Sequence, residues 1–133
     1  MRIFLWFSCL VVVLLAVQQL KAQSSEALIE RKIKENLQNG SHAYEGLDAL
    51  HSFSITIDRS ISESDITYQE DKTRRLLANQ IPVSSLSIKN KSNGEGVISV
   101  VCDATIDWGV IKKCLSSLGF VIIDADVDYI IRN

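Results

Sequence analysis

The chain has 133 residues, of which 14 are basic, 16 are acidic and 47% are hydrophobic. A single Pro and six Gly exclude a low-complexity chain, and the length allows one compact domain after a leader but not two. The acidic balance argues against nucleic acid or an anionic membrane surface as a partner, because both require clustered cations.

The first 22 residues have the composition of a secretory signal. Arg2 precedes an apolar run at residues 3–17, and a polar stretch ends at Ala22. The apolar run is shorter than the roughly 20 residues needed to cross a bilayer. We predict cleavage after Ala22 and a secreted or periplasmic protein with no stable membrane span; an uncleaved anchor is the alternative. Residues 23–133 then carry 12 basic and 16 acidic side chains, a net charge of −4.

Residues 23–49 are predicted to form an amphipathic helix and a connector. Ser24 is suited to cap the helix, and Asn39-Gly40 is a typical end. Apolar residues recur at helical spacing: Leu28, Ile29, Ile33 and Leu37. We expect this helix to pack on the domain or to space it from the membrane, with self-association as the alternative.

Residues 50–133 alternate between strand and helix patterns. The predicted elements are a strand at 51–58, a helix at about 62–80, strands at 83–90 and 97–104, a helix at 107–118 and a strand at 121–131. Pro82 ends the first of these helices and Gly119 the second. This β-α-β-β-α-β order predicts an α+β, ferredoxin-like antiparallel sheet with two helices on one face.

The alternation of apolar residues predicts which side chains face the core. The expected core residues are His51, Phe53, Ile55, Ile57, Ile66, Leu77, Ile81, Leu86, Ile88, Ile98, Val100, Cys102, Ala104, Ile111, Cys114, Leu115 and Leu118. In the last strand Val121, Ile123, Ala125, Val127, Tyr129 and Ile131 share one face, and Asp124, Asp126 and Asp128 share the other. The third strand is apolar on both faces, which favours a central position. The Asp row is typical of a strand that must not pair with other molecules.

Three stretches resemble the heavy-metal-associated domain, a copper chaperone module that also occurs in metal-pumping ATPases. They are Pro82–Leu86, Ser99–Val101 and Leu115–Phe120, which match that family's apolar and turn positions. The resemblance extends from Phe53 to Asp124 and implies the same fold. In the family, a Met-x-Cys-x-x-Cys loop after the first strand binds a soft monovalent cation.

This chain does not keep the family's metal ligands. The segment Asp58–Asp71 contains no Cys, and the family's two Cys positions fall near Ile66 and Gln69, which cannot bind Cu(I). We therefore predict no metal site and no cofactor. Metal chaperoning through non-standard ligands is the alternative function.

The remaining polar residues favour structural roles. We expect Cys102 and Cys114 to be free, buried and inert, and a disulfide between them is the alternative in an exported protein. His51 is predicted to be a structural group rather than a ligand, and His42 does not form a helical ligand pair with it. The acidic residues after the first strand are expected to pair with nearby Lys and Arg instead of holding a cation. The run DADVD lacks the Gly and the distal Glu of a calcium loop.

No residue pattern indicates catalysis. Acylphosphatases share the predicted fold, but Arg59 has no Gly-rich phosphate loop around it, so a small hydrolase is only a distant alternative. We predict an exported, non-catalytic interaction or ligand-binding module with a protein partner in the cell envelope, docking through a sheet edge or the N-terminal helix. The candidate interaction loop, at the place of the family's metal loop, comprises Asp65, Ile66, Tyr68 and Gln69.

Overall fold

The structure is a computed structural model that describes residues 2–103 and 107–132, without the side chains of residues 2–9 and 15–25. Its elements are α1 (Arg2–Ala43), β1 (Ala49–Ile57), α2 (Glu63–Ala78), β2 (Val83–Asn90), β3 (Gly96–Cys102), α3 (Trp108–Ser117) and β4 (Ile122–Ile131). The predicted order of strands and helices after the N-terminal helix is confirmed. Ala104, which was predicted to face the core, lies outside the described residues.

The four strands form one antiparallel sheet in the order β2-β3-β1-β4. The strands β3 and β1 lie at the centre, and β2 and β4 lie at the edges. The predicted α+β class and the central position of the third strand are therefore confirmed. This arrangement is compatible with a ferredoxin-like fold.

One face of the sheet carries the core and the helices. Ile55 pairs with Ile98 and Ala125, and Ile98 pairs with Ile88, so these side chains form a row across all four strands. All four residues are buried. The same hydrophobic cluster contains residues from every helix: Ile29, Ile33, Leu77, Ile111, Cys114 and Leu115. The helices therefore cover the face that the alternation of the strands predicted as apolar.

A β-bulge changes the predicted register at the start of β4. The pairing shifts between Thr56 and Ile57, so that Ile57 pairs with Ile122 and Ile123 is skipped. Ile122 packs against the core, whereas Ile123 is exposed. The prediction that Ile123 faces the core was wrong, because strict alternation ends at a bulge. Two further residues predicted on this face are also exposed, Val121 and Ile131.

Helix α1 is longer than predicted, with 42 residues. It begins before Ser24, and Asn39-Gly40 does not end it. Residues 10–14 are exposed, whereas Ile29 and Ile33 are buried in the core, so the C-terminal half of the helix packs on the domain. Within the described part of the chain, no helix is both long and apolar enough to cross a membrane.

Tyr129 of β4 attaches the C-terminal half of α1 to the sheet. Its hydroxyl donates to the carbonyl of Leu37 at 2.8 Å, and its ring stacks on Tyr44 with the centroids 5.1 Å apart. Gly40 is buried against the same ring, and a Cβ atom at this position would lie 1.8 Å from Tyr129 Cε2. The helix approaches β4 this closely because residue 40 has no side chain.

The outer edge of β4 has its backbone donors occupied. The N–H of Arg132 donates to the carbonyl of Asp48, and hydrogen bonding alternates along an antiparallel pair, so odd-numbered N–H groups of β4 point away from β1. Three of these donate to the carboxylate of the preceding residue at 2.8–2.9 Å: Ala125 to Asp124, Val127 to Asp126 and Tyr129 to Asp128. The Asp row thus occupies the donors that another strand would need.

The opposite edge, β2, is covered by side chains of α2. The N–H of Ile88 donates to Glu70 Oε1 at 3.2 Å, and Arg74 Nη2 donates to the carbonyl of Leu86 at 3.5 Å. At both edges, therefore, backbone groups that a docking strand requires are already bonded. These contacts disfavour the addition of a strand as a way of binding a partner.

The contact between Gly40 and Tyr129 can be tested by adding one methyl group. Gly40→Ala is expected to lower the unfolding free energy by about 1–3 kcal/mol, because the Tyr129 ring must move and lose its bond to Leu37. The greater helix propensity of Ala offsets at most about 1 kcal/mol. Urea titration measures the difference. The control Ser41→Ala, at an exposed neighbour, should change stability by less than about 0.5 kcal/mol, and equal stability of the two variants would contradict the predicted clash.

Removing the three edge carboxylates should promote self-association. The variant Asp124→Ala/Asp126→Ala/Asp128→Ala is expected to form oligomers or aggregates at concentrations where the parent chain does not, because three outward N–H groups lose their acceptors. Static light scattering over a concentration series measures this change.

A control variant separates loss of the caps from loss of charge. It replaces three exposed glutamates elsewhere with Ala: Glu35, Glu45 and Glu63. Both variants lose the same charge, but the control should scatter light like the parent chain. If the two triple variants associate equally, net charge rather than capping explains the effect.

Candidate functional site

A groove lies between α1 and α3, above the start of β4. Its volume is about 310 Å³. The floor is apolar and comprises Ile29, Trp108, Phe120 and Ile122; the rim comprises Glu26, Glu30, Lys112 and Ser116; Val121 lies at the open side. We call this site the α1–α3 groove. An apolar cavity with a few polar groups at its border is the usual form of a ligand site.

Helix α3 forms one wall because three residues share a face. Asp107 caps the helix as predicted, since its carboxylate accepts from the N–H of Gly109 at 3.0 Å. Trp108, Lys112 and Ser116 follow at intervals of four, which brings their side chains to one side of the helix. The predicted inner face of this helix is buried and comprises Ile111, Cys114 and Leu115.

Trp108 connects the groove to the core. Its ring stacks on Phe53, with centroids 6.0 Å apart and planes 16° apart. Its indole N–H is buried and has no hydrogen-bond partner among the described residues. At the end of α3, Gly119 adopts a φ of +86°, and the chain turns so that Phe120 is buried in the floor. The guanidinium of Arg59 lies 5.5 Å from the centre of the Phe120 ring.

Lys112 connects the two walls of the groove by ion pairs. Its Nζ lies 3.0 Å from Glu30 Oε1 and 3.8 Å from Glu26 Oε2. The hydrogen bond that Lys112 donates to Glu30 raises the pKa of Lys112, and the charge of Glu26 acts in the same direction, so the ammonium remains charged. Two carboxylates therefore share one ammonium, and the rim retains one net negative charge.

Exposed apolar side chains extend the groove beyond its rim. Val121, Ile123 and Leu28 are 55%, 41% and 54% exposed. Leu28 lies one helical turn before Lys32, whose Nζ is 3.4 Å from Asp124 Oδ1, so Leu28 faces the start of β4. Exposed apolar side chains at the open side of the groove and on the elements that flank it are a usual sign of an interaction site.

The predicted interaction loop belongs to a different part of the fold. Its four residues, Asp65, Ile66, Tyr68 and Gln69, lie in the first turns of α2 rather than in a loop. Ile66 packs against the core, and Tyr68 is exposed with the ammonium of Lys72 5.9 Å from its ring centre. A predicted surface ion pair joins Asp71 and Arg75 at 2.9 Å. Of the four residues, only Tyr68 offers a large exposed surface, beside a shallow cleft outside the α1–α3 groove.

Both thiols of the domain are buried and free. Burial, together with the charge of Asp103, raises the pKa of the Cys102 thiol to about 11. Its Sγ lies 3.7 Å from the carbonyl of His51 and donates to it. A protonated buried thiol is a poor nucleophile and a poor metal ligand at neutral pH. Among the side chains that the structure describes, no group of three or more His, Cys, Asp and Glu is arranged to hold a metal ion.

His51 lies beneath Tyr129, the residue that attaches α1. The two rings are nearly perpendicular, with centroids 4.7 Å apart. His51 Nδ1 is buried without a hydrogen-bond partner in the described part of the chain. Burial lowers the pKa of His51, so the neutral imidazole is favoured. This position is consistent with the structural role predicted for it.

No family model matches the chain, and a search of curated proteins finds no match. The resemblance to the heavy-metal-associated domain therefore depends on the apolar and turn positions of the sequence alone, and it stays a prediction.

Sequence reasoning did not assign any residue of the groove to a site. The available signals were local: Glu26 and Glu30 are one turn apart on α1, and Trp108 and Lys112 are one turn apart on α3. Glu30 and Lys112 are separated by 82 positions in the chain. Their contact depends on how α1 lies against α3, which no local pattern indicates.

The burial of neutral His51 predicts a pH dependence of stability. As pH falls below about 6.5, the unfolded chain binds a proton at His51 more readily than the folded chain does, because burial lowers the pKa of the folded residue. The unfolding free energy should therefore decrease between about pH 7 and pH 5, by at most about 1.4 kcal/mol per pH unit from this residue. In His51→Phe the unfolding free energy should fall less over this pH range. Urea titrations at several pH values measure it.

The exposed His42 provides the matched control for this experiment. His42→Phe should keep the pH dependence of the parent chain, because the buried imidazole is unchanged. If His51→Phe and the parent chain lose equal stability over the same range, His51 does not contribute to the dependence.

Proposed function

We propose that this chain is an exported, non-catalytic binding module built on a ferredoxin-like domain, with the α1–α3 groove as its binding site. Its partner is a protein of the cell envelope. The observation that carries this proposal is the groove itself, which joins an apolar floor, a charged rim and adjacent exposed apolar residues on one side of the domain. Catalysis is not part of the proposal, since no nucleophile paired with a base lines the groove.

The state of the sheet edges supports the groove over strand addition. Side chains already bond three outward N–H groups of β4 and two backbone groups of β2. The groove, in contrast, has a rim on which Lys112 pairs with the exposed Glu26 and Glu30, and exposed apolar side chains lie on the elements beside it. Of the two docking routes considered from the sequence, the N-terminal helix is the one these contacts favour.

The proposed export is compatible with a complete groove. The prediction rests on the apolar run after Arg2 and on the polar stretch that ends at Ala22. The first residue of α1 that lines the groove is Glu26. Cleavage after Ala22 would therefore leave all the lining residues in the mature chain.

The proposal is tested by filling the groove with one side chain. Ser116 lines the groove and is exposed, so Ser116→Phe should block the site without disturbing the core. The tagged full-length chain and this variant are compared in pull-downs from an envelope extract of the source cells. We expect at least one partner that the parent chain retains and Ser116→Phe loses by about tenfold or more, equivalent to about 1.4 kcal/mol.

The adjacent residue provides a matched control. Ser117 is also exposed but does not line the groove, so Ser117→Phe should retain the partner. Melting temperatures of the two variants establish that both are folded. Retention of every partner by Ser116→Phe, or equal losses by both variants, would contradict the groove as the binding site.

A further inference from the structure

We infer that the occupant of the α1–α3 groove is a basic segment of a partner protein that inserts an apolar side chain between α1 and α3. This inference rests on the proposed function and names the chemistry of the partner. Three features favour such a segment: the charges at the rim, the charges along β4 and the exposed apolar side chains near the groove.

The rim of the groove favours a cation in the ligand. Glu26 and Glu30 lie on consecutive turns of α1 and share the single ammonium of Lys112. One ammonium balances only one of the two carboxylates. Glu26 and Glu30 are also largely exposed, with 64% and 58% of their side-chain surface accessible, so an incoming Lys or Arg can reach them. An anionic ligand would be repelled at the same place.

The neighbouring edge of β4 extends the acidic surface. Asp124, Asp126 and Asp128 follow one another along this edge. Lys32 is the cation that contacts them, at 3.4 Å from Asp124 and 3.9 Å from Asp126. A partner that crosses from the groove onto β4 therefore meets a second excess of negative charge.

The shape of the apolar surface favours a protein segment over a small molecule. The groove is small for a ligand site, since such sites have volumes of roughly 300–1,000 Å³, and it suits an inserted side chain. Ile123 and Leu28 are not among its lining residues and would stay exposed around a small ligand. A polypeptide with one apolar residue in the groove can cover these side chains with its neighbouring residues.

Trp108 is a natural reporter of occupancy. The chain has two Trp residues, Trp6 and Trp108, so Trp6→Phe in the full-length chain leaves a single fluorophore in the floor of the groove. Three synthetic peptides share one apolar core, such as Leu-Phe-Leu, and differ only in flanking Lys, Gln or Glu residues. Each peptide is titrated while Trp108 emission is recorded, at low and at high salt.

We expect the Lys-flanked peptide to bind at least about tenfold more tightly than the Glu-flanked peptide, with the Gln-flanked peptide between them. The preference should weaken at high salt, because exposed charges are screened. Ser116→Phe should abolish the response, and Ser117→Phe should keep it.

A charge-removing pair of variants isolates the role of the rim. Glu26→Gln/Glu30→Gln should weaken binding of the Lys-flanked peptide but not of the Gln-flanked one, because the rim loses its negative charge while the apolar floor is unchanged; the part of the Lys preference that remains is due to the carboxylates of β4. The control Glu35→Gln/Glu45→Gln removes two exposed glutamates outside the groove and should keep the preference.

Three results would overturn the inference, and they leave different statements standing. Equal binding of the three peptides would show that charge does not select the occupant, while the groove would remain a binding site. If hexylammonium binds the groove as tightly as the Lys-flanked peptide, the occupant is a small cationic amphiphile and not a protein segment. If no peptide changes the Trp108 emission but Ser116→Phe still loses an envelope partner in the pull-down, the basic segment is refuted and the proposed binding function is not.

Discussion

The packing of α1 against β4 is the interaction on which the candidate site depends, because it holds α1 opposite α3. Burial of Ile29 and Ile33 contributes about 1.5–3 kcal/mol each, and it also shields the core side of Trp108. The close approach is allowed by Gly40, where the Tyr129 ring occupies the space of a side chain. Without this packing, α3 would have no opposing wall, and the groove would be an open apolar face.

Ion pairs help to orient α1 but contribute less to its binding free energy than its buried apolar residues do. Lys32 contacts Asp124 and Asp126, and Asn36 donates to Asp126 at 2.6 Å. Exposed pairs of this kind contribute at most about 1 kcal/mol each, less than one buried Ile. The Asp row nevertheless has two effects at once, since the same carboxylates accept from the outward N–H groups of β4. Because three outward N–H groups of this edge are occupied, addition of another strand is disfavoured there.

Much of the fold could be predicted because its patterns are local. Asp107 and Gly119 mark the ends of α3, and the two apolar faces of the third strand correctly predicted its central position. The errors occurred where a distant contact changed a local pattern. Gly40 was expected to end α1, yet it lies inside the helix as a contact point for Tyr129. Ile123 was expected in the core, but the bulge opposite β1 turns it outward and turns Ile122 inward.

The amino-acid sequence by itself determined the α+β class, the order of the elements and the apolar face of each central strand, because periodicity and caps involve residues close together in the chain. Only the tertiary structure decided where a site can exist. The groove brings together Glu30 and Lys112, which are 82 positions apart, over a floor that includes Phe120. Such contacts form because whole helices bury their apolar faces against the sheet. The free energy of this burial depends on residues far apart in the chain, so short sequence patterns do not predict it.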